Sequence, residues 1–189
     1  MLNYCEYVSS ISEVNFDNKL VEKVNAVNYK SNNTNKTNCF YANARSIVNK
    51  RDELELYVKE EKPKLIGITE AWTNADINNS ELNISGYTLF RKDRVEGKGG
   101  GVLLYVDNTL DVIERKDLQV DGFEESLWCE ICVGGEKTVI GVCYRSPSCT
   151  SDEDKCLIDC FKKACKSKVL IMGDFNHRVQ WESMESTLS

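Results

Sequence analysis

Two short runs of this chain, Leu65-Ile66-Gly67-Ile68-Thr69 and Val169-Leu170-Ile171-Met172, are apolar at almost every position. A strand with one wet face alternates apolar and polar residues, so an unbroken run is the pattern of a strand covered on both faces. Each run leads into a carboxylate, Glu70 after the first and Asp174 after the second. Strand ends in mixed α/β sheets are places where rigid backbone aims a polar side chain into a cleft.

The segments around these runs predict an α/β domain. A strand over Cys39–Asn43 precedes a helix from about Lys50 to Lys62, with Leu54, Tyr57 and Val58 on one face and Pro63 as terminator. Further strands are predicted at Tyr87–Arg91, Val102–Val106, Leu127–Val133 and Thr138–Tyr144, separated by Gly-rich or charged turns that suit antiparallel pairing. A second helix opens at Ser151 as N-cap, with Asp152, Glu153 and Asp154 in its first turn and an apolar stripe at Leu157, Ile158, Phe161 and Cys165. Before Cys39 the chain lacks apolar periodicity and ends in the polar tract Ser31–Asn38, so residues 1–38 read as a flexible leader, with a turn or two of helix at most over Asp17–Val24. Residues 39–189 form the domain, and a length of 189 residues suits one core better than two.

A formal charge of -6 argues against blanket neutralisation of nucleic-acid phosphates, which needs a basic surface. It leaves open a carboxylate-rich site that meets phosphate through divalent cations. The nine cysteines are odd in number, and no apolar signal segment follows Met1, so the sequence predicts an intracellular protein with reduced thiols. On that reading the sequons at Asn32, Asn35, Asn78 and Asn83 are chance products of an Asn-rich chain. No stretch has the apolar length of a membrane span.

Glu70 and Asp174, joined by Asn43 at the end of a third strand, are the candidate cluster for hard divalent cations and phosphate. Any one of them alone would be an ordinary solvated strand end. Asn176 stands two residues past Asp174, a spacing at which a tight turn presents both side chains to one place, though Asn is also a common turn residue. Tyr144 and Arg145 end another strand and could hold a phosphodiester, against the plain alternative of packing. Arg91, Lys92, Arg94 and Lys98 make a local basic loop that suits either DNA backbone or a solvated turn. Gly97-Lys98-Gly99-Gly100-Gly101 lacks the Lys-Ser/Thr ending of a phosphate loop and reads as a hairpin turn. Cys129 and Cys132 have zinc-like spacing but sit inside a predicted strand, and packing is the better reading. His177 reads as a loop residue without a catalytic role.

Taken in order, Asn43-Ala44-Arg45-Ser46-Ile47-Val48-Asn49-Lys50, Thr69-Glu70-Ala71-Trp72, Gly86–Arg94, Gly99-Gly100-Gly101-Val102, Tyr144-Arg145-Ser146-Pro147 and Gly173-Asp174-Phe175-Asn176 resemble the endonuclease/exonuclease/phosphatase family. The likeness is to the apurinic-like endonuclease domain of non-LTR retrotransposons that carry a reverse transcriptase, and it runs from about Cys39 to Trp181. It implies a four-layer αββα sandwich of the deoxyribonuclease I-like type and Mg²⁺-dependent hydrolysis of DNA, with Mn²⁺ as a substitute. It also implies a reverse transcriptase as partner and action in the nucleus. Glu70 would be the main metal ligand, supported by Asn43; Tyr144 would contact the scissile phosphate, Asp174 would orient or deprotonate water, and Asn176 would hold a phosphate oxygen. Arg145, Arg91 and Arg94 would bind substrate, and Arg45, where the repair branch carries an acid, favours the retrotransposon branch.

The family closes with a Ser-Asp-His motif that nothing here matches, so the resemblance implies a sandwich lacking its C-terminal strands, impaired catalysis and a marginally stable, association-prone chain. Three other readings stay open: a non-catalytic remnant of such an element, a phosphoesterase from another branch, and a DNA-binding module built on the basic loop.

Overall fold

The apolar run at Leu65 becomes the central strand of one sheet, and the run at Val169 an interior strand of another. The computed structural model describes residues 5–9, 27–30, 36–95, 99–133 and 135–176; His177, Gly97, Lys98 and the turns proposed over 17–24 lie outside them. The first sheet has the order β1 (Cys5–Ser9), β10 (Val169–Asp174), β9 (Glu136–Tyr144), β8 (Ser126–Val133), β7 (Asp111–Glu114). The second has the order β2 (Val27–Lys30), β3 (Lys36–Asn43), β4 (Leu65–Thr69), β6 (Val102–Asp107), β5 (Tyr87–Lys92). Helices α1 (Arg51–Glu61), α2 (Asn79–Leu82) and α3 (Ser151–Ala164) complete the chain.

Alternation along the strands builds four layers. In the first sheet, Leu170 and Met172 face inward to Leu127, Ile140 and Val142, while Val169 and Ile171 face outward to Leu157, Cys160 and Ala164 of α3. In the second, Leu65 joins the inner core, while Ile66 and Ile68 face Leu54 and Val58 of α1. The expected burial on both faces is therefore what the packing requires: one side of each run meets the other sheet, and the opposite side meets a helix. Where the sheets approach, Gly67 leaves room that a Cβ would not; it would come within 3.1 Å of Met172 Cε and 3.3 Å of Val142 Cγ2.

The helices follow their local signals with two corrections. Lys62 closes α1 in the left-handed region at φ 47, donating its N–H to the Val58 carbonyl, and Pro63 follows. The N-cap of α3 is Thr150 rather than Ser151: the Thr150 hydroxyl accepts from Glu153 N–H at 3.3 Å, and the Glu153 carboxylate accepts from Thr150 N–H at 2.6 Å. That reciprocal cap needs Ser/Thr three residues before a Glu or Gln, which Thr150 has in Glu153, whereas the residue three after Ser151 is the shorter Asp154, held by Arg145. Ile158 is 50% exposed, and Cys160 and Ala164 take the buried face instead.

The expected antiparallel pairs form between β5 and β6 and between β8 and β9. Two strands fall in the stretch read as a leader: β1 pairs parallel with β10, and β2 antiparallel with β3, which itself begins at Lys36. Edge pairing through backbone hydrogen bonds leaves no strong apolar period in the sequence. No helix among the described residues is long and apolar enough to cross a membrane.

Candidate active site

Parallel pairing places the candidate groups on one edge. Strands β3 and β4 run in parallel, with Asn43 opposite Thr69, so Asn43 and the following Glu70 emerge side by side. Strands β9 and β10 do the same in the other sheet, with Tyr144 opposite Asp174.

The two sheets meet chemically at Asn43. Its Nδ2 donates to Glu70 Oε1 at 2.7 Å and to Asp174 Oδ2 at 3.0 Å, so one amide joins carboxylates from different sheets. Its Oδ1 is buried and has no hydrogen-bond partner among the described residues. Tyr144, buried at the end of β9, hydrogen-bonds Glu70 through its hydroxyl. Burial first, and then the negative charges of Glu70 and Asp174, push the phenol well above its ordinary value of 10.0. Behind the cluster, the Tyr41 hydroxyl and Thr69 Oγ1 lie 2.8 Å apart in a buried bond that ties β3 to the end of β4.

The loops around this edge are stitched together by backbone bonds. Ala44 N–H donates to Thr69 O, Ser46 N–H to Glu70 O, Ile47 N–H to Ala71 O, Ala71 N–H to Gly101 O and Trp72 N–H to Gly100 O, all between 2.8 and 3.1 Å. Within this frame Arg45, Ser46, Glu70 and Trp72 hold positive φ angles of 44, 82, 48 and 54°. Non-glycine residues rarely adopt that conformation, and it clusters where a framework fixes a functional side chain.

Asn176 is brought to Asp174 but its amide is turned aside. Its backbone N–H donates to Asp174 Oδ1 at 3.2 Å, while its Nδ2 donates to the Arg145 carbonyl at 2.8 Å. The basic residues are placed differently from one another. Arg145 is buried and grips Asp154 of α3 through Nε at 2.6 Å and Nη2 at 2.9 Å, locking the helix to the strand end. Arg91 binds Asp93 twice and also the Ile77 and Asn74 carbonyls, so it anchors the loop after Trp72 and not the cluster. Arg94 does border the cluster, 6.0 Å over the Tyr144 ring, with Nε 3.0 Å from Glu125 Oε1.

Glu125 was not singled out from the sequence. It is largely buried, and besides Arg94 it accepts from Gly101 N–H at 2.8 Å. A Cβ on Gly100 would collide with the Glu125 carboxylate and the Arg94 guanidinium, which explains a glycine there. The glycine run lies in the connection between the antiparallel β5 and β6, the hairpin expected of it. An acid following Phe123-Glu124 carries no sequence signal, because its partners lie 24 and 31 residues away. Cys129 and Cys132 lie in β8, and among the described residues no group of three or more His, Cys, Asp or Glu gathers to hold a metal.

No protein-family model matches the chain, and no curated protein matches it. Solved structures do. The endonuclease domain of TRAS1, a telomere-specific non-LTR retrotransposon, aligns with TM-score 0.56 and 17% identity over 76% of this chain and 60% of that one. A humanized D. rerio TDP2 aligns with TM-score 0.52 and 14% identity over 74% of this chain and 66% of its own. The 3′ phosphatase NExo from Neisseria, bound to product DNA hairpin, aligns with TM-score 0.52 and 15% identity over 73% of this chain and 57% of its own. The chain thus spans about 60% of the length of the TRAS1 domain. Two packed sheets with a helical layer on each outer face, superimposable on these proteins, give this chain the deoxyribonuclease I-like α/β sandwich fold.

Proposed function

We propose that this chain hydrolyses DNA phosphodiester bonds as a Mg²⁺-dependent endonuclease, in the manner of target-site nicking by non-LTR retrotransposons. The observation that carries the reading is the convergence of Asn43, Glu70, Tyr144 and Asp174 from four parallel-paired strand ends, with Asn43 bonded to both carboxylates. An endonuclease domain and a DNA-bound 3′ phosphatase share the fold, which supports phosphoester chemistry at this edge. On this proposal a reverse transcriptase of the same element uses the nick, in the nucleus.

The residues present fit a Mg²⁺ ion. Mg²⁺ takes hard oxygen donors and is commonly held by only one or two carboxylates, with waters and substrate phosphates as its other ligands. Glu70 and the Asn43 carbonyl oxygen would hold it, and that oxygen is buried without a partner among the described residues. Mn²⁺ suits the same donors. When bound, the ion neutralises phosphate charge that the acidic chain does not. Asp174, fixed by Asn43 on one oxygen and the Asn176 N–H on the other, presents a carboxylate to take the proton of an attacking water. Tyr144 keeps its proton at neutral pH, as a phenol ordinarily does, and its single O–H, which is given to Glu70 in the free chain, would turn to a phosphate oxygen once Glu70 takes up the ion. Asn176 retains one amide N–H beyond that given to Arg145 and would use it on the phosphate. Of the three arginines, Arg94 borders the cluster and would meet the substrate from its pairing with Glu125, while Arg91 and Arg145 would act through the frame they hold.

Conversion of supercoiled plasmid to open circles in Mg²⁺ tests the proposal. The parent chain should nick and Glu70→Ala should be slower by about 10³-fold, in the range of lost catalytic groups. Equal nicking by both, or none by the parent, would favour a non-catalytic chain.

A further inference from the structure

We infer that Trp72 contacts DNA directly, its indole packing on the sugar or base of a nucleotide next to the phosphate held at Asn43, Glu70 and Asp174. The inference rests on the nuclease reading and names how the substrate is gripped beside the cleaved bond.

Trp72 is 45% exposed, whereas Trp128 is 1% exposed in the core. Nothing about this exposure is loose. Trp72 stands at φ 54, its N–H bonds Gly100 O at 2.9 Å, and the preceding Ala71 N–H bonds Gly101 O at 3.1 Å. Gly99, at φ 83, has no side chain where one would lie 3.2 Å from the indole Nε1, so the glycine loop makes room for the ring. The fold thus holds a large apolar ring at the surface on a left-handed backbone, an arrangement that packing alone does not call for.

Its position names the ligand. Trp72 follows Glu70 by two residues, so their Cα atoms are separated by at most about 7 Å. A DNA strand rises about 3.4 Å per nucleotide, so a phosphate at the cluster brings a neighbouring nucleotide within reach of the indole. Aromatic rings stack on any base or wedge between base steps, giving affinity that does not depend on sequence. A chain of formal charge -6 gains little from general phosphate neutralisation, and a fixed aromatic contact supplies binding of a different kind.

Binding of a short fluorescein-labelled DNA duplex, followed by anisotropy with Ca²⁺, which takes the same oxygen donors, in place of Mg²⁺ and with the duplex checked intact on a gel, tests this. Trp72→Ala should bind about tenfold more weakly, Trp72→Phe should lose less, and neither should change the slope of affinity against salt, because no phosphate contact is removed. DNA should also quench an emission component present in the parent and missing from Trp72→Phe. That comparison decides the matter even if Trp72→Ala folds poorly. Parent-like binding by a folded Trp72→Ala, or identical DNA-induced emission changes in the parent and Trp72→Phe, would overturn the inference. Because these measurements omit Mg²⁺, they separate from the nuclease reading: quenching without any nicking would remove hydrolysis and leave the Trp72 contact, and the reverse result would remove only the contact.

Discussion

The two sheets deliver their polar groups to the same edge by different means. Tyr144 and Asp174 are the last residues of regular strands in the first sheet, and one backbone bond, Arg145 N–H to Asp174 O at 2.8 Å, joins the chain just beyond them. Asn43 and Glu70 come from the second sheet, where the chain turns into left-handed backbone at Arg45, Ser46, Glu70 and Trp72 and is held by five loop-to-loop bonds. Strained backbone of this kind costs about 1–3 kcal/mol per residue and persists only where the surroundings over-determine it. The second sheet therefore carries a rigid half of the candidate site, with the candidates for metal binding, and the first supplies the candidates for proton handling on ordinary strand ends.

The largest effect should come from breaking the first sheet's half chemically. Asp174→Ala should lower plasmid nicking by about 10² to 10⁴, with a small change in melting temperature because the residue sits at a partly exposed strand end. Tyr144→Phe should cost less, about ten- to a hundredfold in nicking, since the ring and its Arg94 contact remain. The same variant has a pH signature. Burial and the neighbouring carboxylates raise the Tyr144 pKa in the folded chain, so its stabilising contribution is complete below the unfolded value of about 10 and is lost as pH rises beyond it. Urea melts of the parent should weaken above that pH, and those of Tyr144→Phe should weaken less.

The smallest effect addresses strain. Ser46→Gly, at φ 82, should stabilise the chain by about 1 kcal/mol in thermal or urea melts, whereas Asn176→Gly, at φ 42 in a residue type that tolerates this conformation, should gain less. Equal gains at the two sites would mean the two halves are not strained differently.

The sequence carried seven of the ten described strands and the four groups that converge at their ends, because both leave local signals. An apolar run ending in Glu70 or Asp174 already states that a buried strand presents an acid, and Asn43 and Tyr144 follow by the same logic. The arginines were less legible. Arg91 and Arg145 look free as a string of residues, but Asp93 and Asp154 claim them, and the second pairing depends on where α3 docks. Glu125 was invisible for the same reason. Strand β7, Asp111–Glu114, was missed because it is a largely exposed edge strand with little apolar alternation. The exposed pose of Trp72 was also beyond reach, since it depends on a left-handed turn and a glycine loop 27 residues away, between positions 72 and 99.

The central claim is that Asn43 joins a metal-binding half and a proton-handling half into one site. The most direct test is the Mg²⁺ dependence of plasmid nicking by the parent and by Asn43→Ala. The account predicts that EDTA abolishes nicking by the parent, and that Asn43→Ala both slows it and needs more Mg²⁺ to reach half its own maximal rate. Nicking that survives EDTA, or an Asn43→Ala chain with the parent's rate and Mg²⁺ requirement, would contradict it.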